Sequence, residues 1–177
     1  MKRIILVLSV FLMGCSLFAS TPEIYEMAFV EDEGSVAPSF FNISSLEIFP
    51  NYEARELNVS LNIEYPYRDE ETLEEDFNGN GKVAGEYFDR FEDIVEAYYE
   101  GEFEALDERI LLEIEEKGAC MGSGGMHMSI YEALEAEAKN ADIDPPALCG
   151  EFEDELQDMV ENFYKDLVEL LNEEIRI

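Results

Sequence analysis

Between Leu57 and Tyr65 the chain alternates strictly. Leu57, Val59, Leu61, Ile63 and Tyr65 are separated by Asn58, Ser60, Asn62 and Glu64. A period of two puts one set on a core and the other in water, so this stretch predicts a strand of an antiparallel sheet with one solvated side. Pro66 ends it. Two weaker patterns precede it. Tyr25, Met27 and Phe29 alternate with Glu26 and Ala28, and Ile43 to Phe49 reads as a strand stopped by Pro50 and Asn51. Asp32-Glu33-Gly34-Ser35 between them has the composition of a turn.

After this region the period changes. Phe88, Phe91, Val95 and Tyr98 recur at steps of three and four with acidic residues between them, the pattern of an amphipathic helix. Phe103, Leu106, Ile110 and Ile114 continue the stripe beyond Gly101. That glycine either divides two helices or sits inside one at a cost of about 1 kcal/mol. Lys117 and Gly118 close the segment, and a Gly- and Met-rich loop follows from Cys120 to Met128. Ser129, with Glu132 three residues on, predicts a capped short helix running to about Lys139. Asp142 to Gly150, with Pro145-Pro146, reads as a loop. Phe152, Leu156, Met159/Val160, Phe163, Leu167 and Leu170/Leu171 mark a last helix from about Glu151 to Ile175. The expected fold class is α+β: a small N-terminal antiparallel sheet packed with three or four mainly C-terminal amphipathic helices.

The first residues follow another logic. Lys2 and Arg3 precede an apolar run, Ile4 to Met13, and no acidic residue occurs before Glu23. A basic start and a short apolar stretch are the parts of a secretory signal, too short for a permanent spanning helix. Leu12-Met13-Gly14-Cys15 resembles the lipobox of bacterial lipoprotein precursors. The resemblance implies cleavage before Cys15, acylation of that cysteine and a membrane held through the lipid anchor. Ser16, not Asp, follows Cys15, which within that family implies outer-membrane sorting, facing the periplasm or the cell surface. The expected organisation is a signal peptide over 1–14, a lipidated Cys15 and linker over 15–23, and a single acidic domain over 24–177.

Charge then narrows the partners. The precursor carries 43 acidic and 11 basic residues, a net charge of -32; loss of Lys2 and Arg3 leaves -34. Such a field repels nucleic acid and anionic lipid, so nucleic acid is excluded as a partner and the lipid must supply membrane attachment. A basic protein or a divalent cation fits the sign. With 12 Phe and 9 Tyr the chain has the apolar material for a folded core. Once Cys15 is accounted for, Cys120 and Cys149 remain, and two cysteines in an exported domain pair as a disulfide.

Two constellations have ligand chemistry. Asp76-Phe-Asn78-Gly-Asn80-Gly81-Lys82-Val83 resembles the start of a calcium-binding EF-hand loop, with side-chain oxygens at alternate positions, Gly81 at the sharp turn and the Lys82 carbonyl as a further ligand. The closing position falls on Tyr87, so Glu86, one residue early, would complete the site. Cys120, Met121, Met126, His127 and Met128 bring together thiolate, thioether and imidazole, a set suited to copper(I). No catalytic motif is present: Gly122-Ser123-Gly124 lacks the glycine a nucleophile elbow needs two residues before the serine. The sequence therefore points to a non-enzymatic envelope lipoprotein with a partner-binding or cell-surface role. The alternatives are a calcium-binding module and a periplasmic inhibitor of a basic hydrolase such as lysozyme.

Overall fold

The computed structural model describes residues 23–32, 42–65, 76–118, 125–133, 138–144, 152 and 154–175. Cys15, Cys120, Met121 and Cys149 lie outside them, as does the turn after Asp32. The elements run β1 (Ile24–Asp32), β2 (Ile43–Asn51), β3 (Glu56–Glu64), β4 (Phe77–Ala84), α1 (Glu86–Glu100), α2 (Glu102–Lys117), β5 (Gly125–Glu132), β6 (Lys139–Asp144) and α3 (Glu155–Ile175). The strands form one antiparallel sheet in the order β4-β3-β2-β1-β5-β6. The fold is α+β, but the sheet is neither small nor confined to the N-terminal part. β1 to β4 form a meander, and β5 returns after two helices to pair with the free side of β1.

From Ser129 to Glu132 the chain is strand where the start of a capped helix was expected. Met126, Met128 and Ile130 are buried, and the intervening His127 is exposed. The Glu- and Ala-rich composition after Ser129 favours a helix locally, but pairing along the whole length of β1 outweighs that preference. β1 also departs from its simple alternation. A bulge between Ile24 and Glu26 sets two β1 residues against one of β5, so Ile24 joins Met27 and Phe29 in the core while Tyr25 turns outward. Pro50 lies within β2, beyond Ile48, the last β2 residue opposite β1.

One face of the sheet is sheathed by the three helices. Phe29, Leu46, Leu61 and Met128 meet Phe91, Ile94, Phe163 and Leu167, all 0% exposed. Gly101 divides α1 from α2. It adopts the left-handed conformation (φ 80°), and its N–H donates to the carbonyls of Ala97 and Tyr98, ending α1 where the stripe is resumed at a new angle. α3 starts later than its stripe suggests, at Glu155. Asp154 caps it, its Oδ1 accepting from the N–H of Leu156 at 3.0 Å.

Cations are scarce, and each described arginine joins two elements. Arg55, in the turn between β2 and β3, pairs with Asp89 at 2.7 Å and Glu92 at 2.8 Å on α1 while lying 4.7 Å over the Phe88 ring. Arg90 links α1 to Asp166 of α3 at 2.7 Å, over Phe163. Arg109 links α2 to Asp154 at 2.6 Å, the residue that caps α3. Exposed pairs of this kind contribute little singly. Arg90 and Arg109 also set a positive charge between neighbouring acidic segments that would otherwise repel one another.

Candidate functional site: the open face of the sheet

Among the described residues no helix lies over the second face of the sheet. Its residues follow from the register, because each strand sends alternate side chains outward. Across the middle run Asn80, Ser60, Glu47, Ala28, Ser129 and Asn140, contributed in turn by β4, β3, β2, β1, β5 and β6. A second row, Asn78, Asn62, Ser45, Val30 and His127, lies beside it. On the other flank, Asn58 stands opposite Phe49 and Lys82, and Glu26 opposite Tyr131. Amides and hydroxyls fill the two rows, and acids stand among and around them: Glu26 and Glu47, Asp32 at the end of β1, Glu64, which accepts from Asn62 Nδ2 at 2.9 Å, and Glu56, 3.9 Å from Lys82 Nζ.

The middle row is short at Ala28, Ser60 and Ser129, with the exposed Glu47 standing between them. Tyr25, Val30 and Phe49 are 46%, 42% and 38% exposed. The Tyr25 and Tyr131 rings lie 5.9 Å apart, tilted by 52°. With strands about 4.8 Å apart, the six of them span about 24 Å. The polar groups of this face are partly ordered already: Ser129 Oγ donates to Asn140 Oδ1 at 2.8 Å, and Asn58 Nδ2 donates to the Phe49 carbonyl at 3.3 Å. Glu26 and Glu47 are the acids nearest the centre. Partial burial and then the Glu47 charge raise the Glu26 pKa. A ligand that donates hydrogen bonds to these carboxylates relieves both.

The helices carry the opposite character. α1, α2 and α3 together hold 20 Asp and Glu against four Lys and Arg. The three helices thus hold 20 of the 43 acidic residues of the chain, a concentration that composition alone conceals.

The motif residues are placed differently from what their spacing suggested. Asp76 precedes β4, and Asn78, Asn80 and Lys82 lie along it, extended and paired with β3 without a register shift. Successive outward positions of a strand are about 7 Å apart, too far to converge on one calcium ion at 2.3–2.6 Å. The Asp76 carboxylate instead accepts from the Tyr65 N–H at 3.1 Å, and Glu86 opens α1. Gly81 is not a turn residue. It is a point of close approach, where an added Cβ would stand 2.7 Å from Leu171 Cδ2 of α3. The copper set is also divided: Met126 and Met128 point into the core and His127 to the opposite face. Among the described residues no three His, Cys, Asp or Glu side chains gather as a metal site requires.

At one end of the sheet, sequence reasoning missed a buried polar cluster. Glu132 is 6% exposed and accepts from the Tyr98 hydroxyl at 2.6 Å and from Lys139 Nζ at 3.3 Å, with Lys139 lying 5.2 Å over the Tyr98 ring. The cluster ties α1 to β5 and β6. Desolvation and then the bond to Glu132 push the Tyr98 pKa to about 12, and burial likewise pushes Tyr52 to about 12. Burial also raises Tyr164, whose hydroxyl donates to Ser44 at 2.9 Å. A raised tyrosine pKa means the folded state prefers the neutral phenol. That stability is full below the unfolded value of 10.0 and is lost as pH climbs towards about 12. Tyr52 and Tyr98 should each contribute about 2 kcal/mol to the loss. Denaturant midpoints measured through this window should fall steeply, with tyrosinate absorbance appearing together with unfolding. A flat midpoint would show that these phenols ionise freely in the native state.

Comparison with protein-family models, with curated proteins and with solved structures found no match.

Proposed function

We propose that this chain is an exported, non-enzymatic envelope lipoprotein that meets its partner through the open face of its sheet. The observation that carries the reading is the division between the two sides. Three helices put a strongly acidic, self-repelling surface on one side, while the other side sets rows of amides and hydroxyls and three aromatic rings among fewer acids. A strand face built only for water does not need Tyr25 and Phe49 exposed on one flank and Val30 on the other. Anchoring follows from the Leu12-Met13-Gly14-Cys15 resemblance. No helix among the described residues is long and apolar enough to cross a membrane. A domain of this charge also needs a lipid to stay near an anionic bilayer.

Two measurements test the reading. Growth with a labelled fatty acid should label the wild-type protein, and Cys15→Ser should abolish the label and release the domain from the membrane fraction. An unlabelled, soluble wild-type protein would contradict the anchor. In a sedimentation assay with isolated envelopes, the lipid-free Ser60→Arg/Ser129→Arg variant should lose association, and Glu96→Gln/Glu108→Gln on the helices should keep it. The reverse pattern would put the contact on the helices.

That reverse pattern belongs to a second reading, which the acidic helix layer favours: a basic protein, such as a cationic hydrolase, bound electrostatically. Its signature is association that fades with salt, because exposed charges are screened within about 8 Å at physiological ionic strength.

A further inference from the structure

We propose that β4, one edge of the sheet, pairs antiparallel with β4 of a second copy of this chain, joining two sheets into one across a two-fold axis at Asn80. The inference goes beyond the docking reading above and does not depend on it.

The two edges of the sheet differ. β6 is six residues long, shifts register against β5 between Met126 and His127, contains Asp142 and Asp144, and runs into Pro145-Pro146. Bulges, charges and prolines all discourage a further strand. β4 is eight residues long, has no proline and pairs with β3 without a register shift. Among the described residues nothing hydrogen-bonds to its outer side. The N–H and C=O groups of every second residue there are left for a partner strand.

Charge and side-chain order select the partner. Of the described elements, β4 alone contains no Asp or Glu. Two copies of so acidic a chain repel each other over most of their surfaces, and β4 is where they can approach. The strand is also complementary to itself, as an isologous contact requires. About Asn80 it reads alike in both directions. Phe77 would face Val83 of the copy, Asn78 would face Lys82, Gly79 would face Gly81, and Asn80 would face itself. Phe77 and Val83 belong to the core side, where they extend the apolar layer, and Asn78, Asn80 and Lys82 are exposed on the open side. Lysine often guards an edge against pairing. In this register Lys82 lies diagonal to Asp76 of the copy, within reach of a long side chain, and symmetry repeats the contact.

The test is cysteine crosslinking of the intact protein in its own host. Asn80→Cys sets two thiols opposite one another on the axis, at a Cα separation of about 4.5–5.5 Å that a disulfide spans. A mild oxidant should yield a homodimer from this variant. None is expected from the wild type or from Asn140→Cys on β6. None is expected from Asn78→Cys either, whose two copies stand about 13 Å apart along the strands in this register. Adding Lys82→Glu, which sets a second acid beside Asp76 of the copy, should cut the yield roughly tenfold, and Lys82→Arg should keep it. Sedimentation of the lipid-free protein at moderate salt, where mutual repulsion is screened, should show the mass doubling as concentration rises to about 1 mM. Lys82→Glu should shift that doubling to roughly tenfold higher concentration while its thermal unfolding remains cooperative. No homodimer from Asn80→Cys, equal yields from Asn78→Cys or Asn140→Cys, a yield indifferent to Lys82→Glu, or a monomer at every concentration would each overturn the inference. A crosslink from Asn80→Cys to a different protein would overturn it too, and would assign this edge to that protein.

Discussion

Phe29→Ala is expected to destabilise the domain by about 3–5 kcal/mol, a large share of the 5–15 kcal/mol that holds a typical domain together. Phe29 sits at 0% exposure on β1, the strand through which both halves of the sheet are joined. Its neighbours in the ladder are Leu46 on β2 and Met128 on β5, and its ring lies 5.7 Å from that of Tyr164 on α3. The cavity would therefore open where the meander, the returning strand and the last helix meet, with neighbours fixed on three sides and little freedom to collapse. The denaturant midpoint should fall with the slope of the transition unchanged. A loss below about 1 kcal/mol would mean that α3 does not pack on β1 as described.

Gly81→Val is expected to cost about 1–3 kcal/mol by overpacking. The new side chain would enter the space of Leu171, itself 1% exposed, and Val59 stands on its other side at 3.7 Å. The cause can be separated from backbone effects by a double-mutant cycle. Leu171→Ala opens the space, so the pair of substitutions should be less damaging than the sum of the two by about 1 kcal/mol or more. Additive losses would indicate that Gly81 is needed for its backbone conformation. Its backbone is not in the left-handed region, unlike that of Gly85, Gly101 and Gly118, and the cycle is therefore expected to show rescue.

Gly81 also shows why part of this molecule was hidden in its sequence. Asn-Gly-Asn-Gly is the composition of a turn, and spacing alone made Asp76, Asn78, Asn80 and Glu86 look like ligands. The glycine is small because a helix nearly a hundred residues later packs on the strand, and no local pattern records that contact. Where the cause is local, the sequence was readable. The alternation from Leu57 to Ile63 became β3, and the stripes at Phe88, Phe103 and Phe163 became three helices with those faces buried. Gly101 divided the first two as its conformational freedom permits. The region after Ser129 was misread because its residues favour a helix singly and a strand only once β1 is there to pair with. The open face was illegible for a stronger reason. Its middle row takes one residue from each of six strands, so it exists only through register. The acidic total concealed it as well, since a net charge says nothing about which side of a fold carries it. The pairing expected of Cys120 and Cys149 falls outside the described residues.

The division of labour between the two faces is tested most directly by a photo-crosslinking amino acid placed singly in the intact protein within its own host. Ser60 and Ser129 represent the open face, and Glu96 and Glu108 the helices. Crosslinks to one envelope component are expected from both sheet positions, persisting when the cells are washed in high salt, with none from the helix positions. Crosslinks confined to the helix positions and lost with salt would contradict the account, and would make the acidic surface the one that meets the partner.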